Sequence, residues 1–169
     1  MADQLLKRHF EMMASYNQWA NARLYAMART LADSDYRRDV GVYFRSLHGT
    51  LNHLLVADRN WMTRLTGAGE IIPNFDTIVH DTLPELEKAR VSEDARIIAF
   101  VAALDGQALS QVLSYTALSG KQYQQRRPDV LAHLFNHQTH HRGQAHAVLT
   151  ILGVRDPEPL DLLLMQRLS

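Results

Sequence analysis

The 169-residue chain is 46% hydrophobic and 21% charged, enough apolar material to fill one domain's core and too much for a disordered segment. Its 18 Lys and Arg balance its 18 Asp and Glu, leaving no net field to favour nucleic acid or an anionic membrane surface. With no cysteine, disulfides, thiolate metal sites and a thiol nucleophile are excluded.

Asp3 is a candidate N-cap for a first helix to about residue 30, in which Leu6, Phe10, Met13, Tyr16, Ala20, Leu24 and Met27 keep the helical period. The same N-terminal stretch lacks a secretory apolar core, and no segment approaches the ~18 apolar residues of a membrane span, so the expected location is the cytoplasm. Asp33-Ser34-Asp35 breaks the pattern, and a second helix is expected over residues 40–65, with Leu47, Leu51, Leu54, Leu55 and Met62 on its apolar arc. Trp19 and Trp61 read as core anchors. Residues 66–81 lose periodicity and gain Gly67, Gly69 and Pro73; Glu70, Asp76 and His80 on this long loop are candidate acid/base groups. Thr82-Leu83-Pro84-Glu85 forms a capping box for a third helix over 83–104. Residues 113–116 and 122–124, flanking Leu118-Ser119-Gly120-Lys121, are compatible with a short hairpin. A fourth helix runs from Pro128 to Gly153, and a short final helix follows Pro157 and Pro159. The expected architecture is all-α, a four-helix bundle forming one domain over residues 1–169.

Four of the nine histidines fall between positions 133 and 141. On a helical wheel His137 and His141 are an i,i+4 pair centred on the stripe of Val130, Leu134, Ala145, Val148 and Leu152, so their rings can meet one ion. Two adjacent buried imidazoles are costly unless both ring nitrogens are satisfied, and a divalent cation does this at once. His133 and Gln144 lie at the stripe's edge as candidates for a supporting or substrate-facing role. His140 and His146 point further round. Arg142 falls off the stripe and reads as a structural ion pair, with a partner subunit as one candidate, while the mid-helix Gly143 suggests close packing. The sequence His137-Gln138-Thr139-His140-His141 lacks the glutamate of the zinc-protease motif, which excludes that chemistry. A further ligand must come from another element. His53 shares a stripe with the small residues Ser46, Gly49 and Ala57, which favours it, but periodicity leaves His48 open. Asp58 is a candidate for supporting the site or for an interhelical polar contact.

Tyr16-Asn17-Gln18-Trp19-Ala20-Asn21, the segment 46–59 around Leu47-His48-Gly49 and Asn52-His53-Leu54, Asn136-His137-Gln138-Thr139-His140-His141-Arg142-Gly143-Gln144 and Leu160-Asp161-Leu162-Leu163 together resemble the DinB/YfiT-like metalloenzyme superfamily over nearly the whole chain. The resemblance implies an up-down-down-up bundle, often a homodimer. It also implies a metal held by one histidine of the second helix and two of the fourth, which here are His53, His137 and His141. Members of this superfamily include thiol-dependent transferases and isomerases acting on small molecules.

Three imidazoles without a carboxylate make an open site for Zn, Ni or Fe, suited to metal-dependent hydrolysis or to transfer from a small thiol. If His133 were a fourth ligand the site would close, and the alternative would gain: a non-catalytic, metal-stabilised dimeric module or small-ligand sensor. No serine-nucleophile motif, paired carboxylates or phosphate-binding glycine loop is present.

Overall fold

The structure is a computed structural model and describes residues 2–168. In chain order its elements are helix α1 (Ala2–Ala28), the single turn α2 (Asp33–Tyr36), α3 (Leu47–Thr66), α4 (Leu83–Ala103), the short α5 (Gly106–Ser110), strands β1 (Val112–Thr116) and β2 (Gln122–Arg126), α6 (Arg127–Ile151) and α7 (Leu162–Leu168). Among the described residues no helix is long and apolar enough to cross a membrane.

The long helices begin and end on local chemistry. The Ser46 side chain accepts from the Gly49 N–H to cap α3, and Gly67 closes that helix in the left-handed conformation at φ 72°. Thr82 caps α4 through Glu85, with Pro84 in the first turn where no N–H is missed. Pro128 plays the same part in α6. Gly153, at φ 90°, ends α6 and lets the Val154 N–H return to the Leu149 carbonyl. The hairpin forms as expected, one residue longer on its first strand and two on its second, with Tyr115 opposite Tyr123.

Two apolar clusters fix the direction of each helix. One gathers Leu24 and Ala28 from the end of α1, Leu47 and Leu51 from the start of α3, Leu86 from the start of α4, and Val148 and Leu149 from the end of α6. The other gathers Phe10 from α1, Met62 and Leu65 from the end of α3, Ile97 and Val101 from α4, and Val130, Leu134 and Phe135 from the start of α6. Helices α1 and α6 therefore run one way and α3 and α4 the other, giving the up-down-down-up order.

Between the clusters lies a buried polar layer contributed by all four long helices. Arg90 of α4 pairs with Asp58 of α3 at 2.8 Å and with Asp94, one turn along its own helix, at 3.0 Å. Asn17 and Asn21 of α1 each donate to Asp94 at 3.0 Å. Arg142 of α6 donates to Asn17 and to the Gln138 side chain, and Gln138 donates to the Leu54 carbonyl at 3.2 Å. Two cations thus face two anions, which makes the enclosed charge tolerable.

Because α3 and α4 are parallel, residues 67–82 must travel back along the length of α3. They do so as a strap pinned by α3 side chains in reverse order. Asn60 clasps Ile72 by both its backbone groups at 2.8 and 2.9 Å, and the Asn52 side-chain oxygen accepts from the Val79 and His80 N–H groups at 2.9 and 3.1 Å. Between them, His53 bonds the Phe75 carbonyl at 2.9 Å.

Several sequence expectations are corrected. The second long helix starts at Leu47, not near residue 40, because Gly41 and Arg45 sit at positive φ and turn the preceding segment into a bridge between Val42 and Arg45. Asp3 lies inside the first turn of α1. Arg142 is only 2% exposed and, in place of the expected ion pair, hydrogen-bonds Asn17 and Gln138 of its own chain. Trp61 is half-buried on a cavity wall. Gly143 is exposed, and a Cβ there would meet nothing within 4 Å, so close packing does not explain it.

Replacing Arg90 by Ala should lower stability by roughly 3–5 kcal/mol, because two buried carboxylates lose their cation; a urea midpoint close to wild type would refute the charge balance described. Gly143→Ala should raise stability by roughly 0.5–1 kcal/mol, read as a higher urea midpoint.

Candidate metal centre

His53 projects from the middle of α3, and His137 and His141 from the middle of α6, where the two helices pack side by side between the apolar clusters. One ring nitrogen from each lies within 4.8 Å of the other two. The ring centroids are 5.1, 4.5 and 4.4 Å apart around the triangle. The Nε2 atoms of His53 and His137 face each other at 3.3 Å.

Hydrogen bonds on the far side of two rings decide which nitrogens are free. The Phe75 carbonyl can only accept, so Nδ1 of His53 carries the proton and Nε2 keeps a lone pair toward the cluster. The Gln144 side-chain oxygen lies 2.7 Å from Nδ1 of His141 and sets the same tautomer. Gln144 is held in turn by His140, whose Nε2 is 3.1 Å from its amide nitrogen. Phe44 stacks on His53 with centroids 3.8 Å apart and meets His141 edge-on at 5.6 Å.

This donor set fits a divalent ion. Two bonds of ~2.0–2.1 Å at a tetrahedral angle separate their nitrogens by roughly 3.3 Å, the spacing found between His53 and His137. Burial keeps the rings neutral, as ligands must be. It pushes His53 down to about 4, partly offset by the Phe75 bond. Burial, reinforced by the neighbouring histidines, takes His137 to about 3. His141 is also lowered by burial, with its Gln144 bond acting the other way.

Other candidate residues are placed differently. His133 stands one turn before His137 with centroids 5.8 Å apart, packs edge-on to Trp61 at 5.1 Å, and is outside the converging trio. Asp58 faces Arg90 in the polar layer, an interhelical polar contact. His48 has both nitrogens engaged, by Arg37 at 3.4 Å and the His80 carbonyl at 3.1 Å, and helps hold the strap. Glu70, Asp76 and His80 do not line the cavity beside the histidines. His146 binds the Glu158 carbonyl at 2.9 Å. On α6 the core line passes through Leu131, Leu134, Gln138, Arg142, Ala145 and Leu149; His137 and His141 sit at its edge, not its centre, and so open onto space.

That space is a cavity of about 650 Å³ reaching from the histidines to the hairpin tip. Phe44, Phe75, Trp61 and Leu118 form its apolar walls, and Arg64 lies among its lining residues. Sequence reasoning missed Phe44 and Phe75 because neither belongs to a periodic element. The small residues near His53 make room for other things than a helix. Ala57 borders the cavity, and a Cβ on Gly49 would collide with the Phe44 carbonyl oxygen, so glycine there lets Phe44 reach His53.

A profile of the DinB family matches residues 1–168. A relative named Protein DinB, from Bacillus subtilis strain 168, is 24% identical over 144 residues, which span 82% of this chain and 83% of the relative. Among solved structures, a DinB-like protein from Bacillus cereus ATCC 10987 superposes with a TM-score of 0.62 at 19% identity, covering 83% of this chain and 90% of that one. At that identity the likeness shows a shared fold.

The depressed histidines give the metal-free protein a pH dependence. Unfolded histidines take up protons below about pH 6.5, whereas folded His53 and His137 resist until about 4 and about 3. Their contribution is therefore complete above pH 6.5 and is lost as pH falls toward 4. Between pH 7 and 4.5, wild type should lose on the order of 1 kcal/mol more stability than His137→Gln, allowing for partial exposure of the ring. Taking the difference cancels shared groups such as Asp58, which burial pushes the other way, up to about 6. Equal losses in urea titrations of the two proteins would contradict this.

Proposed function

The chain belongs to the DinB family, and on that premise we propose that His53, His137 and His141 hold one divalent metal ion which activates a small molecule bound in the adjoining cavity. The observation that carries the reading is the pair of Nε2 atoms 3.3 Å apart, with the opposite nitrogen of His53 committed to a carbonyl. Zn, Ni and Fe all suit three imidazoles. A bound ion would supply Lewis acidity, for hydrolysis or for the use of a small thiol.

The chain's own residues divide the remaining work. The Phe75 carbonyl and Gln144 orient His53 and His141, a type of outer contact whose loss weakens metal binding by about 10–100-fold. Phe44, stacked on His53, keeps water from that side of the ring. His133 lines the cavity, where partial desolvation favours its neutral form, so its ring can take a proton from a molecule beside the histidines. Three converging protein donors support a catalytic site over a purely structural ion, which four protein ligands normally enclose.

Metal analysis of purified protein tests this directly. About one divalent ion per chain is expected in wild type and in His48→Ala, with loss in His53→Ala, His137→Ala and His141→Ala, and weaker retention in Gln144→Ala. Wild type that takes up no Zn, Ni or Fe on reconstitution, or His53→Ala that binds like wild type, would sink the proposal.

A further inference from the structure

Arg64 is a cation without an anion. Its side chain is half-buried, it makes no ion pair or hydrogen bond among the described residues, and its Nε is enclosed without a partner. Other interior and half-buried arginines use their donors: Arg142 bonds Asn17 and Gln138, Arg127 bonds the Ala108 carbonyl, and others meet carboxylates. Arg90 has Asp58 and Asp94, Arg96 has Glu93, and Arg37 has Asp33 and Asp81. Arg64 is held only by aromatic faces, its Cζ 4.9 Å from the Trp61 ring of α3 and 5.5 Å from the Tyr115 ring of β1. These rings fix the guanidinium and tie the hairpin to the bundle, but they leave its donors unused.

The cavity supplies the rest. Arg64 lines it together with the three histidines, and no carboxylate is among its lining residues. His53, Ala57, Trp61 and Arg64 follow one another at helical spacing along one face of α3. Eleven residues separate the first and last, roughly 16 Å along the axis. An arginine side chain leans back toward its helix N-terminus, so the guanidinium stands on the order of 10 Å from the histidines. The wall between is formed by Ala57, Trp61 and Leu118, with His133 packed against Trp61.

We infer that the cavity takes an elongated amphipathic carboxylate, its carboxylate bound by Arg64, its apolar body along Trp61 and Leu118, and its far end at the histidine cluster. The far-end assignment rests on the metal-site reading above. A single planar guanidinium matches a carboxylate two-to-two. A phosphate would call for further cations or a nest of backbone N–H groups, and the cavity lining includes no other lysine or arginine.

The test uses two probes of one length on metal-reconstituted protein: the monohydroxamate of suberic acid, whose hydroxamate chelates metals and whose other end is a carboxylate, and its methyl ester. Titration calorimetry should show the acid binding wild type about tenfold or more tighter than the ester. Arg64→Gln should abolish that preference while keeping ester affinity, which also reports that the variant is folded. Equal affinities in wild type, or a preference that survives in Arg64→Gln, would overturn the carboxylate assignment and leave the metal reading intact. If Arg64→Gln binds neither probe, Arg64→Met is judged by the same criterion, and Arg64→Lys should keep part of the preference. Wild type that binds no metal, and neither probe, would instead mark failure of the metal site itself.

Discussion

Arg90 and Arg142, enclosed at mid-height in the bundle, set the terms on which the four long helices can pack. An unpaired buried charge costs several kcal/mol, so the helices must bring Asp58, Asp94, Asn17, Asn21 and Gln138 to the same level and hold them there. Sliding α6 by one turn against α1 would part Arg142 from Asn17. Apolar contacts above and below this layer are less particular, since leucine against leucine tolerates a shift that an ion pair does not. The geometry of the histidine trio depends on the same register. His137 and His141 each directly precede a member of the layer, Gln138 and Arg142, and Gln138 also bonds the α3 backbone one residue beyond His53.

Much of this was legible in the sequence. Helical period, caps and glycine stops were enough to place four long helices and the hairpin, because each signal is local. The histidine pair on the last long helix was also visible, since i,i+4 spacing alone brings two rings together. The choice of His53 over His48 came from the family resemblance. Geometry supplies its physical reason: His48 is saturated by Arg37 and the His80 carbonyl, whereas His53 keeps one nitrogen free.

What could not be read depends on chain segments meeting at a distance. Arg142 reads from sequence as an ion pair off the core stripe because charge is normally kept from the core, and nothing nearby in sequence announces Asn17 or Asn21. The heptad-like line of Leu131, Leu134, Gln138, Arg142, Ala145 and Leu149 was there to be found, but only by letting polar residues count as core. Phe44 and Phe75 sit in irregular backbone, where neither period nor propensity speaks. Their positions follow from a left-handed Arg45 and from side-chain clasps by Asn52 and Asn60.

The strap over α3 ties the order of the helices to the position of a single proton. In a bundle whose helices alternate up and down, α3 and α4 would be antiparallel and joined by a turn at one end, leaving the flank of α3 bare. Here the second and third long helices run the same way, so the connecting chain has to pass His53 on its return, and it presents the Phe75 carbonyl as it goes. That carbonyl claims the proton on Nδ1 and leaves Nε2 bare. Topology, usually described as a matter of how a chain is threaded, here selects a tautomer.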